Sequence, residues 1–236
     1  MTMPNPNRFI VVSVVAALLL AGIGGGAVAG AVNISATPGV LPPDSHPHGK
    51  SYAEWSEAWW TWAMEFPLDG HPFTDSFTDV TAGQTGRVWF LGAPFDTHVR
   101  DVTIPHGISL FFGLLNAEFS SLEGFATAEE QGAEARFWVD HIVDLFCTID
   151  GVSVKDLRAY RFPSPQFHFT APTPWIFGPD GGAGTAVADG YYLMLTPLAT
   201  GTHTIHFGGS FHFSVAEGDP MDGDFPLDMT YHVTVK

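Results

Sequence analysis

The chain has 236 residues, 25 of them acidic and nine Lys or Arg, for a formal charge of -16. That balance excludes a nucleic-acid binder, whose phosphates need a basic surface, and it opposes contact with anionic membranes. A single cysteine excludes an internal disulfide, so packing alone must hold the fold.

Arg8 precedes a nearly continuous apolar run from Phe9 to Val32 that ends in small residues around Ala27-Val28-Ala29, the pattern of an export signal cleaved near Ala29. The alternative is a retained membrane anchor, since the run is long enough to cross a hydrocarbon core of about 30 Å. Glycines between Gly22 and Gly30 weaken a spanning helix and favour cleavage. Residues 1–29 are therefore read as a signal, 30–49 as an extended Pro-rich arm and 50–236 as a single domain. Cleavage leaves 207 residues and, because Arg8 is lost and no acid is, a formal charge of -17. The destination is extracellular or periplasmic, with no membrane contact after cleavage.

In the arm, Pro38, Pro42, Pro43 and Pro47 favour extended backbone, and His46 and His48 are a weak metal pair. Ser51 and Glu54 are spaced as a capping box and Pro67 marks a stop, which predicts a helix over 51–66. Trp55, Trp59, Trp62 and Phe66 make one apolar ridge along it, with Trp60 off the stripe and Trp60 or Trp59 a candidate to stack on a ligand. Residues 68–83 read as a long loop whose Asp69, Asp75 and Asp79 do not match a calcium-loop spacing. Strands are expected at 86–91, 99–104 and 108–115, the last apolar on both faces and hence central.

Glu118 follows that central strand, and with His98 and His106 it forms a candidate acid–base corner, Glu118 being the candidate catalytic residue. Thr127 and Glu130 give a second capping box, which opens a helix expected over 128–146. Cys147 lies among apolar residues and reads as a small buried hydrophobe rather than a nucleophile. Lys155, Arg158 and Arg161 concentrate positive charge in a chain with few cations, which suits pairing with nearby acids or, as the alternative, holding an anionic ligand.

Residues 163–189 read as a long connection, on which Trp175 and Phe177 are candidates for an aromatic ligand-binding platform. Strands are expected at 191–196, 202–207, 211–215 and 229–235, the middle two separated by a turn or bulge at Gly208-Gly209-Ser210. The fold class is mainly β, a β-sandwich of jelly-roll or immunoglobulin-like type with two packed helices. The late strands carry His203, His206, His212 and His232, with His168 a further member, as a candidate zinc or copper site. In that reading His212 and His232 sit side by side, and His203 joins only through a bulge. Neither HExxH nor the histidine pattern of cupin-type barrels is present.

The segments SYAEWSEAWWTW, VWFLG, DGYYLMLTPLATGTHTIHFGG and DMTYHVTV resemble those of a family of uncharacterised bacterial exported proteins, over nearly the whole chain after the signal. The resemblance implies export and one domain and transfers no catalytic residue. It also implies cysteines after the loop corresponding to 75–83, before Thr103 and at the place of Phe119, where this chain has none.

Together these features predict an exported non-catalytic protein that binds a small molecule, glycan or protein. One alternative is a metal-dependent hydrolase or oxidoreductase using the strand histidines, with Glu118 or an aspartate moving the proton. The other is a structural or assembly protein of the cell surface, favoured by a bare edge strand or by an arm that inserts into a neighbour.

Overall fold

The computed structural model describes residues 39–236. The expected signal or anchor and the first part of the arm lie outside the described residues. Two helices, α1 (Tyr52–Met64) and α2 (Ala128–Asp140), both open on the capping boxes that their sequences announce. Among the described residues nine strands make two sheets: β1 (Val88–Leu91), β2 (Asp96–Ile104), β3 (Ser109–Ser120), β4 (Ile142–Ile149), β5 (Val152–Ser153), β6 (Phe167–Ala171), β7 (Gly182–Leu195), β8 (Gly201–Phe213) and β9 (Gly223–Val235). The order is β1-β3-β7-β6 in the four-stranded sheet and β2-β9-β8-β4-β5 in the five-stranded one. Most neighbours are antiparallel, but β1 runs parallel to β3 and β2 parallel to β9. No helix among the described residues is long and apolar enough to cross a membrane.

The four-stranded sheet is covered on both faces, which is why β3 and the second half of β7 read as unbroken apolar runs. On one face Phe111 and Tyr192 stack at 5.7 Å beneath α1. Phe111 also meets Tyr52 and Trp55, at 6.1 and 6.3 Å. On the other face Phe112 meets Phe207 of the five-stranded sheet at 5.0 Å. Indole and phenol groups buried under α1 find partners: Trp59 Nε1 donates to the Leu91 carbonyl at 2.9 Å and Trp60 Nε1 to the Tyr192 hydroxyl at 3.0 Å. Trp60 and Trp59 are thus buried side by side in the core, neither free to stack on a ligand. The described part of the arm is fastened to this sheet. Leu41 donates to Met194, Thr196 donates to Gly39, and the Tyr52 hydroxyl binds the Leu41 carbonyl at 2.8 Å.

Several boundaries differ from the expectation. The second helix ends at Asp140, and 142–149 form β4, because Ile142, Cys147 and Ile149 point inward as strand residues against β8. The connection at 163–189 contains β6 and half of β7, whose small residues in GAGTAVADG conceal a strand. Residues 201–213 form one strand straight through Gly208 and Gly209, with neither hairpin nor bulge against β9. Close packing explains Gly208. A Cβ there would lie 1.9 Å from the Leu227 carbonyl oxygen and 3.0 Å from the Phe146 ring.

Candidate functional site

The outer face of the five-stranded sheet gathers most of the polar residues that the sequence singles out. Along β2 the outward side chains are Thr97, Val99, Asp101 and Thr103; along β8 and β9 they fall at even positions. The registers arrange them in rows across the strands. Thr103, Thr234 and Thr202 form one row; Asp101, His232 and Thr204 the next; Val99, Thr230, His206 and Thr148 a third. Beyond these, Phe146 lies over Gly208 and touches the His206 ring at 4.8 Å. The surface is broad and polar, and its outward strand positions carry aspartates but no lysine or arginine.

Each histidine within the strands of this sheet has its own aspartate. His206 Nε2 lies 2.8 Å from Asp228, His212 Nδ1 2.7 Å from Asp224 and His232 Nδ1 3.0 Å from Asp101. His203 Nδ1 lies 2.8 Å from Asp150, whose other oxygen accepts from the Thr204 N–H, and His203 Nε2 reaches the Ala199 carbonyl. Burial opposes a charge on His203, but the Asp150 and Ala199 contacts outweigh it and its pKa rises. The hydrogen bond to Asp224 likewise raises that of His212.

This arrangement corrects the expected grouping of His203, His206, His212 and His232. His212 lies opposite Asp224 while His232 lies opposite Thr204, eight positions away along β8, so the two do not stand side by side. At about 3.3 Å per residue that separation is about 26 Å. His206 and His232 are diagonal neighbours, and His203 points to the opposite side of β8. His168 lies on β6 in the other sheet. Among the described residues no three His, Cys, Asp or Glu side chains converge as metal ligands.

The acid–base corner is not assembled either. His98 pairs with Asp75 at 2.7 Å, His106 is exposed, and both lie on or beside β2, whereas Glu118 is on β3. Glu118 is buried, and neither of its oxygens has a hydrogen-bond partner. Its neighbour is Glu123 in the turn that follows β3, which accepts from the Ser120 hydroxyl at 2.7 Å. Burial pushes the Glu118 carboxyl well above the usual carboxylate range, and the adjacent Glu123 pushes it further. Burial lifts Glu123 to about 7, although the hydrogen bond from Ser120 works against that rise. The pair therefore keeps protons that separate carboxylates would lose.

Trp175 is buried, 5.8 Å from Phe169, while Phe177 stands exposed with its ring 5.4 Å from Trp175. The platform is thus one ring wide. Cys147 is buried and its thiol is pushed up to about 12, as a hydrophobic role requires. Arg161 pairs with Asp189 at 2.7 Å and Asp140 at 2.6 Å, and Arg158 binds the Tyr191 hydroxyl at 2.8 Å, so these cations serve the fold.

Sequence reading missed two groups. Arg100 donates to the carbonyls of Pro72, Gly92 and Thr74 and to the Tyr231 hydroxyl, fastening the 67–84 loop to the five-stranded sheet. His71 is fully buried between Phe66 and Phe73, and its Nδ1 accepts from the Phe73 N–H. Burial lowers its pKa to about 4, against a smaller opposing contribution from the Ala63 carbonyl. The surface hollows are open. One of ≈ 460 Å³ lies between Leu68, Thr74 and Pro174, and one of ≈ 500 Å³ lies between Gln84, Trp89, Pro105 and Lys236.

No protein-family model and no curated protein matches this sequence. Among solved structures, the chain is similar to the solution structure of amebosin over 59% of its own length and 96% of that chain, at 11% identity and a TM-score of 0.17. At that score the likeness carries neither fold nor function to this chain.

Proposed function

We propose that this chain is an exported, non-catalytic β-sandwich protein that holds a macromolecular partner, a protein or a glycan polymer, on the outer face of its five-stranded sheet. The observation that carries the reading is the display of threonines and individually paired histidines in rows across β2, β9, β8 and β4. Small ligands are bound in concave sites that bury most of their surface, whereas this face is suited to a partner as broad as itself. The candidate catalytic groups are committed elsewhere: each strand histidine of the five-stranded sheet is held to an aspartate, and Glu118 lies beside Glu123 beneath the surface. Export is supported by the signal-like residues 1–29 and by the resemblance to exported bacterial proteins.

The test is cross-linking to an envelope extract of the producing cells, with binding compared between the unaltered chain and a Thr204→Arg, Thr230→Arg double variant. Loss of a saturable adduct in the variant supports the reading. An adduct that persists undiminished overturns it, as does hydrolase or oxidoreductase activity lost on His206→Ala.

A further inference from the structure

We infer that the free edge of β2 pairs with the β2 edge of a second copy of this chain, joining two five-stranded sheets into one of ten strands about a two-fold axis through Val99. The starting point is which backbone groups β2 leaves over. Lys236 donates to the Ile104 carbonyl and His106 donates to Lys236, so even-numbered residues of β2 bond toward β9. The N–H and C=O groups of Thr97, Val99, Asp101 and Thr103 therefore point along the open edge. Among the described residues nothing pairs with them, and Val99 is 64% exposed.

The other sheet edges are managed differently. On the open side of β1 the Gln84 amide takes the place of a strand, receiving the Phe90 N–H at 2.8 Å and donating to the Phe90 carbonyl at 2.9 Å. The edge strand β5 is two residues long. The five-residue β6 is bracketed by Pro163, Pro165, Pro172 and Pro174. Short strands, prolines and side-chain caps are the usual means of keeping an edge from pairing. At nine residues, β2 is the long edge without them.

A second copy fits this edge by its own sequence. Antiparallel pairing about Val99 sets Val99 against Val99 and Thr97 against Asp101 on both sides of the axis, so no like charges face each other on the outer side. Beneath the sheet His98, held on Asp75, stands opposite Arg100 of the other copy. Pairing stops before Thr97, because Asp96 has a left-handed φ of 70° and the Phe95 carbonyl is taken by His98. Three hydrogen-bonded pairs exchanging two bonds each is a small contact, so the dimer is expected to be concentration-dependent.

The experiment is sedimentation of the full chain over a range of concentrations, beside Val99→Pro and Val99→Cys. Proline is tolerated here because the Val99 N–H belongs to no ladder within the chain. The expected results are twice the monomer mass at high concentration for the unaltered chain and the monomer mass for Val99→Pro with its circular dichroism unchanged. Val99→Cys should oxidise to a single dimer, its Cα atoms about 5.5 Å apart across the axis. A monomer at every concentration overturns the inference, as does a dimer that Val99→Pro leaves intact. So does a monomer whose β2 amides resist hydrogen exchange, which would show that a segment of the same chain covers the edge.

Discussion

Replacing Glu118 by glutamine tests whether the buried carboxyl pair makes stability depend on pH. In the unfolded chain a glutamate releases its proton near 4.5, whereas folded Glu123 keeps its own to about 7. A folded pKa raised above the unfolded one gives stability that is complete below pH 4.5 and is lost as pH rises through 7. At 1.36 kcal/mol per pKa unit, the loss from Glu123 alone is about 3 kcal/mol, and Glu118 adds to it in the same direction. Glutamine cannot ionise, and its amide can donate to the Glu123 carboxylate. Glu118→Gln should therefore match the unaltered chain at pH 5 and be the more stable of the two at pH 8, by the share of the loss that Glu118 carries, while the loss of about 3 kcal/mol from Glu123 remains in both proteins. The assay is urea unfolding followed by tryptophan fluorescence at pH 5, 6, 7 and 8, read as the difference between the two proteins so that the histidines cancel. A difference that does not change with pH refutes the reasoning, and so does a variant that weakens as pH rises.

Three further outcomes follow from other groups. His71, held neutral with a pKa near 4, gives stability that is present above about 6.5 and is lost as pH falls toward 4. His71→Asn, whose carboxamide oxygen can accept from the Phe73 N–H, should reduce by about 3 kcal/mol the stability lost between pH 7 and pH 4, measured by the same unfolding assay. Arg100→Met removes four hydrogen bonds, those to the Pro72, Thr74 and Gly92 carbonyls and to the Tyr231 hydroxyl, and leaves the Pro72 carbonyl without a donor; it should cost about 3 kcal/mol and open the 67–84 loop to limited proteolysis. Gly208→Ala drives a methyl group into the Leu227 carbonyl and should cost about 3 kcal/mol in urea unfolding, with the Phe146–His206 contact displaced.

What was legible in the sequence is what short-range chemistry decides. Ser51 with Glu54, and Thr127 with Glu130, mark helix starts because the cap and its partner are three residues apart. The apolar run of β3 announces a strand covered on both faces for a similarly local reason. Strand β4 was hidden because Trp138, Ile142 and Leu145 continue a helical spacing past Asp140, and only pairing with β8 makes 142–149 extended. Gly208 and Gly209 look like a turn until Phe146 and the Leu227 carbonyl are seen to need the space. The histidines show the same division. Their outward direction at 206, 212 and 232 follows from strand alternation, but their partners depend on register between strands far apart in sequence. That register gives each one an aspartate instead of another histidine. Glu118 stood out as a carboxylate at the end of a buried strand, yet only the turn after β3 reveals Glu123 as its neighbour.

The most direct test of the outer face as the working surface is photo-cross-linking with an unnatural side chain at position 204 or, as a comparison, at position 177. Thr204 lies in the middle of the threonine and histidine rows, and Phe177 is the exposed ring beside Trp175. In an envelope extract of the producing cells, the account predicts one saturable adduct from position 204 and none from position 177. An adduct from position 177 with none from position 204 would contradict it and return the search to the aromatic residues of the 172–181 loop.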